Sequence, residues 1–307
     1  MPFTKDHHAF RHMVRDVVER EIAPHVGEWE RAGAFPAHEL FPLLGKLGLP
    51  GLEYDPAYGG ADHLYTVILG EEIGRIDCGG VPMAIGVQAG WICLLARTSG
   101  EDGYRGMSQI IVEAGRPGFS VSRKLDKLGN RSSDTAGLVF TGLRVPVAST
   151  IGEIGRGFQQ QMTQFQNERM IAAYTAVGGA QRALDRTRDY LRKRQASGRP
   201  LTASSHVSHR LAELSARIDL LRHCNYACAE AYIRGEDATR FATIAKLAAG
   251  RLSREVADTC LQFHGGMGYM EETWTARYFR DSRLISIGGG AGEVMLRVLT
   301  QLDGLTP

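Results

Sequence analysis

The stretch Phe158-Gln-Gln-Gln-Met-Thr-Gln-Phe-Gln-Asn-Glu-Arg-Met-Ile-Ala-Ala-Tyr-Thr-Ala176 decides the fold class of this chain. Its apolar residues return at intervals of three, four or seven positions, which places them along one face of an α-helix. These residues are Phe158, Met162, Phe165, Ala172 and Ala176. The pattern predicts a long amphipathic helix that continues to about Arg194 and ends before Gly198 and Pro200.

Two later segments repeat this spacing and predict two more long helices. One carries Leu211, Leu214, Ile218, Leu221, Cys228 and Tyr232, and the other carries Phe241, Ile244, Leu247, Leu252, Val256 and Cys260. A short fourth helix is predicted from Met295 to Leu302, and turns at Gly198 and Gly235 separate the long helices. Helices joined by short turns pack in alternating directions, so residues 151–307 are predicted to form an up-and-down four-helix bundle.

The residues before the bundle predict two further regions. Residues 89–150 contain short β-type runs between turns, namely Trp91–Leu95, Ser108–Val112, Phe119–Ser122 and Leu138–Phe140. Residues 1–88 show helical spacing at about Phe10–Ile22, Ala37–Leu47 and His63–Ile76, and Asp62 is placed to cap the last of these. The predicted fold is mainly α, with an N-terminal helical domain, a partial middle β-domain and the C-terminal bundle.

The composition excludes several classes of protein. The 307 residues include 36 basic and 34 acidic side chains, a formal charge of +2, which provides no positive surface for a nucleic acid. Five cysteines without paired spacing argue against a disulfide scaffold and favour a reducing compartment, with the cytoplasm as the expected location. The region near Met1 does not resemble a signal peptide, and apolar runs are too short to span a membrane.

Glu168 is the residue whose position most suggests chemistry. It follows Phe165 by three residues and precedes Ala172 by four, so helical spacing places its carboxylate on the apolar stripe. Burial there raises the pKa of a carboxyl group toward the range useful for a general base. From spacing alone, two structural explanations stay open: Glu168 pairs with an arginine, or the stripe is rotated enough to expose it.

Three glycine-rich stretches border predicted helices, at residues 152–157, 265–268 and 288–292. Such loops allow backbone N–H groups at a helix start to approach a phosphate or a planar ring, although each is also typical of an ordinary helix end. A basic group of Arg192, Lys193, Arg194 and Arg199 is suited to a pyrophosphate, or to the dipole of a helix C-terminus. The stretches lack the strand-loop-helix context of a Rossmann fingerprint.

Two residue pairs have the one-turn spacing of metal ligands: His8 with His12, and Cys224 with Cys228. The sequence supplies neither pair with a convergent third ligand, so no metal site is predicted.

Six motifs follow one another in a fixed order, at Arg123–Gly129, Arg131–Thr135, Arg144–Pro146, Gly152–Phe158, Gln262–Tyr269 and Tyr278–Asp281. Together they resemble the acyl-CoA dehydrogenase family, and the resemblance covers nearly the whole chain. Arg123–Gly129, Arg131–Thr135 and Arg144–Pro146 are similar to the last strands of the family's middle β-domain. Gly152–Phe158 matches the entry to its C-terminal bundle, and Gln262–Tyr269 and Tyr278–Asp281 match its late motifs. The joint occurrence makes the resemblance specific, whereas any one motif alone is weak.

The resemblance implies an FAD-dependent oxidoreductase of fatty-acid β-oxidation, which converts an acyl-CoA thioester to the trans-2-enoyl-CoA. In the commonest pattern the catalytic Glu lies before the last helix, where this chain has Gly289. Isovaleryl- and long-chain-type members instead place it on the first bundle helix, directly before an Arg. Glu168 and Arg169 match that arrangement, which implies Glu168 as the catalytic base and Asn167 and Arg169 as substrate-binding residues. The loop is most similar to citronellyl- or branched-acyl-CoA members.

The resemblance also implies a cofactor site shared between two subunits of a homodimer or homotetramer, with an electron-transfer flavoprotein as the acceptor. The implied FAD-binding residues are Arg194, Gln262, Phe263, His264, Gly265, Gly266, Ala291, Gly292 and Glu293. Ser197 and Ser205 replace an aromatic residue and a glutamine that the family usually has nearby. Each replacement removes a stacking surface or an amide from the cofactor site.

The largest departure from the family is a missing block of about eighty residues between Gln88 and Ala89, much of a small domain's worth of chain. In the family this block carries the early β-strands and the motifs that hold the flavin ring and the thioester. Two hypotheses follow. The chain is an acyl-CoA dehydrogenase with Glu168 as base, or it is a non-catalytic, internally deleted member that acts as a dimerising helical scaffold without flavin.

Overall fold

The computed structural model describes residues 3–58, 60–86 and 91–305, and they form a mainly helical protein. Helices of the N-terminal region are α1 (Lys5–Val17), α2 (Val26–Ala32), α3 (Ala37–Lys46), α4 (His63–Ile73) and α5 (Gly80–Gly86). The middle strands are β1 (Trp91–Arg97), β2 (Met107–Glu113), β3 (Phe119–Lys124), β4 (Ala136–Phe140) and β5 (Thr150–Ile151). The bundle contains α6 (Gly157–Lys193), α7 (Ser205–Ile233), α8 (Thr239–His264), α9 (Trp274–Ser282) and α10 (Gly292–Leu302), with a β6–β7 hairpin (Gln195–Ala196, Arg199–Pro200) between α6 and α7.

The first helix, predicted at about Phe10–Ile22, changes its hydrogen-bond pattern before it reaches Pro24. After α1 the chain passes through a π-helical turn at Val18–Ile22 and a 3-10 turn at Ala23–His25 before α2 begins. Pro24 has no N–H to donate, so the regular α-helical ladder cannot continue through it. The next two helices confirm the prediction, with Asp62 accepting a hydrogen bond from the Leu64 N–H at 2.8 Å to cap α4, which ends three residues earlier than expected.

Helix α4 connects the N-terminal region to the bundle. On one side its buried Glu72 accepts hydrogen bonds from Arg11 and Arg15 of α1, at 2.9 and 2.8 Å. On the other side it crosses α6 so closely that a Cβ on Gly178 would lie 1.9 Å from the Glu71 carbonyl oxygen. Glycine at this crossing is therefore a packing requirement, and it sets the position of α4 beside α6.

The middle strands form small separate sheets in the described part of the chain. Strand β2 pairs antiparallel with β1 and β5, whereas β3 and β4 form a hairpin of their own. Val121, Leu138 and Val139 on this hairpin expose 57%, 41% and 42% of their surface. The strands confirm the prediction of a partial middle β-region, and these side chains on its hairpin are left uncovered. The junction of Gln88 and Ala89 lies outside the described residues, and the domain boundaries at 88 and 150 stay predictions.

The bundle confirms the predicted long helices and corrects the apolar stripe of α6. Met162 is 37% exposed, and between Gly157 and Met170 the residues of α6 are not fully buried. The reason is that the core shared by α6, α7 and α8 starts at Ala173, while the first turns of α6 pack beside β2. Helix α9 was not predicted, and α10 begins three residues before Met295. Among the described residues, the helices are too short or too polar to cross a membrane.

Candidate active site

A cavity of about 280 Å³ lies beside α6, between three walls. One wall is the α6 face from Glu168 to Gly179, and the second is the segment Gly74–Met83 before and within α5. The third runs from Tyr278 on α9 through the turn after that helix to Gly288–Gly290, which we call the glycine loop. Gly288 and Gly289 of this loop line the cavity. Apart from a few polar groups the lining is aliphatic, which suits a flexible apolar ligand.

Glu168 lies at the end of this cavity that faces the glycine loop. Its side chain is half-buried, and the Gln164 amide donates a hydrogen bond to its Oε1 at 3.2 Å. Burial raises the pKa of Glu168, and the opposing effects of Gln164 and the Arg169 charge only reduce that rise. A carboxylate in these surroundings has the position and the basicity of a general base.

Arg169 is directed toward the glycine loop, so pairing with an arginine does not account for the position of Glu168. Its Nε donates to the carbonyl oxygen of Gly289 at 3.2 Å, and the Nζ of Lys246 on α8 donates to the next carbonyl, that of Gly290. Gly289 and Gly290 have φ values of 65° and 110°, a backbone region open mainly to glycine. Two cations thus hold the loop that closes the cavity beside Glu168.

Lys246 is only 1% exposed, and burial together with the positive charge of Arg169 lowers its pKa to about 8, against the opposing effect of Glu293. The unfolded chain therefore binds more protons than the folded chain between pH 8 and the unperturbed lysine pKa of about 10.5, so stability from this residue rises with pH there. We expect the unfolding free energy of the natural protein, minus that of Lys246→Met, to increase by roughly 2–3 kcal/mol across this range. Urea titrations at several pH values measure it, and a constant difference would contradict the prediction.

Asp281, on the third wall, links that wall to the Gly74–Met83 wall and to the loop at Asn130. Its Oδ1 accepts from the Asn130 backbone N–H at 2.7 Å and its Oδ2 from the Gly79 N–H at 2.8 Å. Burial raises the pKa of Asp281, while these two hydrogen bonds act in the opposite direction. Sequence reasoning quoted Asp281 only as part of a motif and did not identify this role. The separation between residues 79, 130 and 281 leaves no local signal for it.

Six of the nine predicted cofactor residues lie near the C-terminal ends of α6 and α8: Arg194, Gln262, Phe263, His264, Gly265 and Gly266. The rings of His264 and Tyr190 stack with centroids 4.2 Å apart, and His264 Nδ1 lies 2.7 Å from the Cys260 carbonyl oxygen. Gly265 and Gly266 are exposed, and a Cβ on either would meet no atom within 4 Å. This open backbone leaves room for a planar or phosphate-bearing ligand.

The other three, Ala291, Gly292 and Glu293, begin α10 beside Lys246 and the glycine loop. Arg194 is the C-cap of α6 and follows Glu168 by 26 residues, so the two are about 39 Å apart at the usual helical rise. The structure therefore does not bring the two groups of predicted cofactor residues together within one chain. Asn167 and Arg169 are half-buried neighbours of Glu168 but are not among the described residues lining the cavity, so their substrate contacts stay predictions.

The described residues contain no group of three or more His, Cys, Asp or Glu arranged to hold a metal ion. His8 and His12 lie on α1, and Cys224 and Cys228 lie on α7.

Comparison with known proteins gives a consistent result across sequence and structure. The family model described as acyl-CoA dehydrogenase, C-terminal domain, matches residues 155–301, and the corresponding N-terminal domain model matches residues 4–104. The mitochondrial long-chain specific acyl-CoA dehydrogenase of Sus scrofa is 29% identical over 373 residues, covering 97% of this chain and 86% of that protein.

Two further relatives show higher identity. The short-chain specific acyl-CoA dehydrogenase of Megasphaera elsdenii is 33% identical over 263 residues, covering 84% of this chain and 69% of that protein. A crystal structure of an acyl-CoA dehydrogenase from Mycobacterium smegmatis superposes with a TM-score of 0.95 at 32% identity and covers 99% of each chain. The motifs, the helical architecture and these similarities agree, and the chain belongs to the acyl-CoA dehydrogenase family.

Proposed function

We propose that this protein is an FAD-dependent acyl-CoA dehydrogenase that uses Glu168 as its catalytic base. The observation that carries the proposal is the half-buried Glu168 at one end of an aliphatic cavity, with its pKa raised by burial. The base sits on α6, the first long bundle helix, and not on the loop before α10, where Gly289 has no side chain to accept a proton.

Each residue has a defined part in this reaction. Glu168 accepts the α-proton of the bound thioester, and the electrons of that C–H bond move toward the Cα–Cβ bond. FAD, when bound, supplies the acceptor for the β-hydride, so that the product is the trans-2-enoyl-CoA. The Gly289 and Gly290 carbonyls, held by Arg169 and Lys246, fix the loop that closes the cavity beside the base and help to keep water away from it.

The residues present fit FAD when two copies of the chain contribute. The open Gly265–Gly266 backbone and the exposed Arg194 suit the adenosine and pyrophosphate, and the N-cap residue of α10, Ala291, provides no side-chain cap for the N–H groups of that helix. Because these two groups lie at opposite ends of the bundle, we propose that one comes from each subunit. Exposed apolar side chains near them, Met267, Tyr269, Met270, Leu296 and Leu302, favour a homodimer or a dimer of dimers.

We expect the protein to sediment at no less than twice the mass of its 33.6 kDa chain. Met267, 60% exposed beside Gly265 and Gly266, is a suitable position for a disruptive charge. We expect Met267→Glu to weaken association at least ~10-fold, as charges do in an apolar interface, and to weaken FAD binding with it. Val147→Glu, at a position 75% exposed in the middle region, is the matched control. A monomeric natural protein that binds FAD would contradict the shared site.

Further parts of the proposal concern the surroundings of the enzyme. An electron-transfer flavoprotein or a similar acceptor would reoxidise the flavin, and the five free cysteines favour a cytoplasmic location. A branched acyl chain remains one predicted substrate. The names of the relatives do not decide between substrates, because both long-chain and short-chain enzymes are similar to this chain.

A second candidate function, a dimerising scaffold without flavin, is favoured by one observation. The similarity to the Sus scrofa enzyme extends over 373 positions, more than the 307 residues of this chain, so that relative has aligned residues without a counterpart here. The described middle region is correspondingly reduced to short sheets.

The visible spectrum of the purified protein, with and without added FAD, separates the two functions. A retained flavin band that bleaches when acyl-CoA is added without oxygen supports the enzyme. A protein that retains no flavin at any FAD concentration supports the scaffold.

A further inference from the structure

From the length of the cavity along α6 together with its volume we infer a substrate class that the family membership leaves open: a straight acyl chain of about ten to twelve carbons. The inference rests on the proposed function, because it takes the reacting Cα of the thioester to be held at Glu168.

The length of the cavity follows from its α6 wall. Glu168, Ala172, Ala176 and Gly179 lie on one helical stripe and all line the cavity. At a rise of about 1.5 Å per residue, Gly179 is about 16 Å from Glu168. A staggered alkyl chain advances about 1.3 Å per carbon, given carbon–carbon bonds of about 1.5 Å. Some twelve carbons beyond Cα is therefore the upper limit.

The walls explain why the cavity is long, narrow and closed at its far end. Beyond Glu168 this α6 stripe carries the small side chains of Ala172 and Ala176, with Ile171 and Thr175 beside it, and Met83 and Ile285 line the cavity from the other two walls. The cavity ends at Gly179, where a Cβ would come within 3.1 Å of the Gly74 carbonyl oxygen and 3.5 Å of the Tyr278 ring. The helix and the Gly74 segment are thus in close contact, and the small space beyond them, about 10 Å³, has room for roughly one more small group.

The volume gives a second, independent limit. The cavity measures about 280 Å³, and a methylene-sized group takes about 30 Å³ in a condensed phase, so about nine such groups fit. Combined with the length limit, this corresponds to a chain of ten to twelve carbons. A short branched chain would leave most of the aliphatic lining without contact, and unfilled apolar space costs affinity.

The test is a binding series that does not depend on turnover. The probes are straight 3-thia-acyl-CoA thioesters with four to sixteen chain atoms, in which sulfur at position 3 leaves no β-hydrogen to transfer. Binding is measured by calorimetry on the purified protein. Each buried methylene contributes about fourfold in affinity, so we expect affinity to rise about fourfold per carbon up to ten to twelve carbons and then to level off.

Two variants move the end of the cavity by a known distance. Ala176→Leu is expected to shift the levelling point about four carbons shorter, and Ala172→Leu, one turn nearer Glu168, about four carbons shorter again, since one turn spans about 5.4 Å. Ala176→Val and Ala172→Val serve if the leucine variants do not fold, and should produce smaller shifts in the same order. Gln159→Leu, on an exposed turn of α6 outside the cavity, is the matched control.

The possible failures are distinguishable. Three binding results would overturn the inference. They are affinity that levels off at four or five carbons, equal affinity for the ten-atom probe and a 3-thia analogue of isovaleryl length, and absence of binding at every length. Unchanged levelling points in both alanine variants would also overturn it. A levelling point at ten to twelve carbons without oxidation of decanoyl-CoA by the FAD-loaded protein would support the cavity assignment and count against the proposed activity.

Discussion

Glu168→Gln is expected to lower the rate of flavin reduction by acyl-CoA at least about 10³-fold while flavin content and acyl-CoA affinity stay nearly unchanged. Glutamine keeps the shape and the hydrogen-bonding partner of Glu168 but cannot accept a proton. Exchange of the substrate α-proton with deuterated water, followed by NMR, isolates this step from hydride transfer. It should be lost in the same variant.

The matched control is Glu153→Gln, an exposed glutamate that pairs with Arg156 at the entry to α6. It removes the same charge from the same region without touching the cavity, so full activity is expected. Retained α-proton exchange in Glu168→Gln would reject Glu168 as the base. Because burial raises the pKa of Glu168, the natural enzyme should lose activity on acidification at a pH above the usual glutamate range.

Asp281→Ala should produce the largest loss of stability among single changes at the site, about 3 kcal/mol. The change leaves the backbone N–H groups of Gly79 and Asn130 without their acceptor, the first in half-buried and the second in buried surroundings. Relief of the buried charge offsets part of this loss, since burial already raises the pKa of Asp281. Calorimetry should show a melting temperature lower by roughly 6–12 °C.

Asp281→Asn separates hydrogen bonding from charge. Its single amide oxygen can serve only one of the two N–H donors, so an intermediate loss is expected. Asp189→Asn on the exposed face of α6 should change stability by less than about 0.5 kcal/mol. If Asp281→Ala has the same melting temperature as the natural protein, other contacts hold the Gly79 and Asn130 segments against the third wall of the cavity.

The sequence by itself determined the helices, the bundle and the candidate base. Apolar spacing identified α6, α7 and α8 because each buries one face, and a buried face imposes a regular pattern on its residues. The same reasoning located Glu168, because a charged residue within such a stripe departs from the pattern. The order of the motifs then indicated the family to which the chain belongs, which apolar spacing alone could not indicate.

Only the tertiary structure decided what surrounds Glu168. Arg169 and Lys246 hold the glycine loop by hydrogen bonds, and Asp281 accepts a hydrogen bond from Gly79. These contacts join residues that are far apart in the chain. The residues themselves carry no local trace of such contacts. The uncovered start of α6 was misjudged for the same reason, because burial depends on where neighbouring helices begin and not on the helix's own periodicity. The length of the cavity likewise follows from where α6 meets the Gly74 segment, a contact that no stretch of sequence contains.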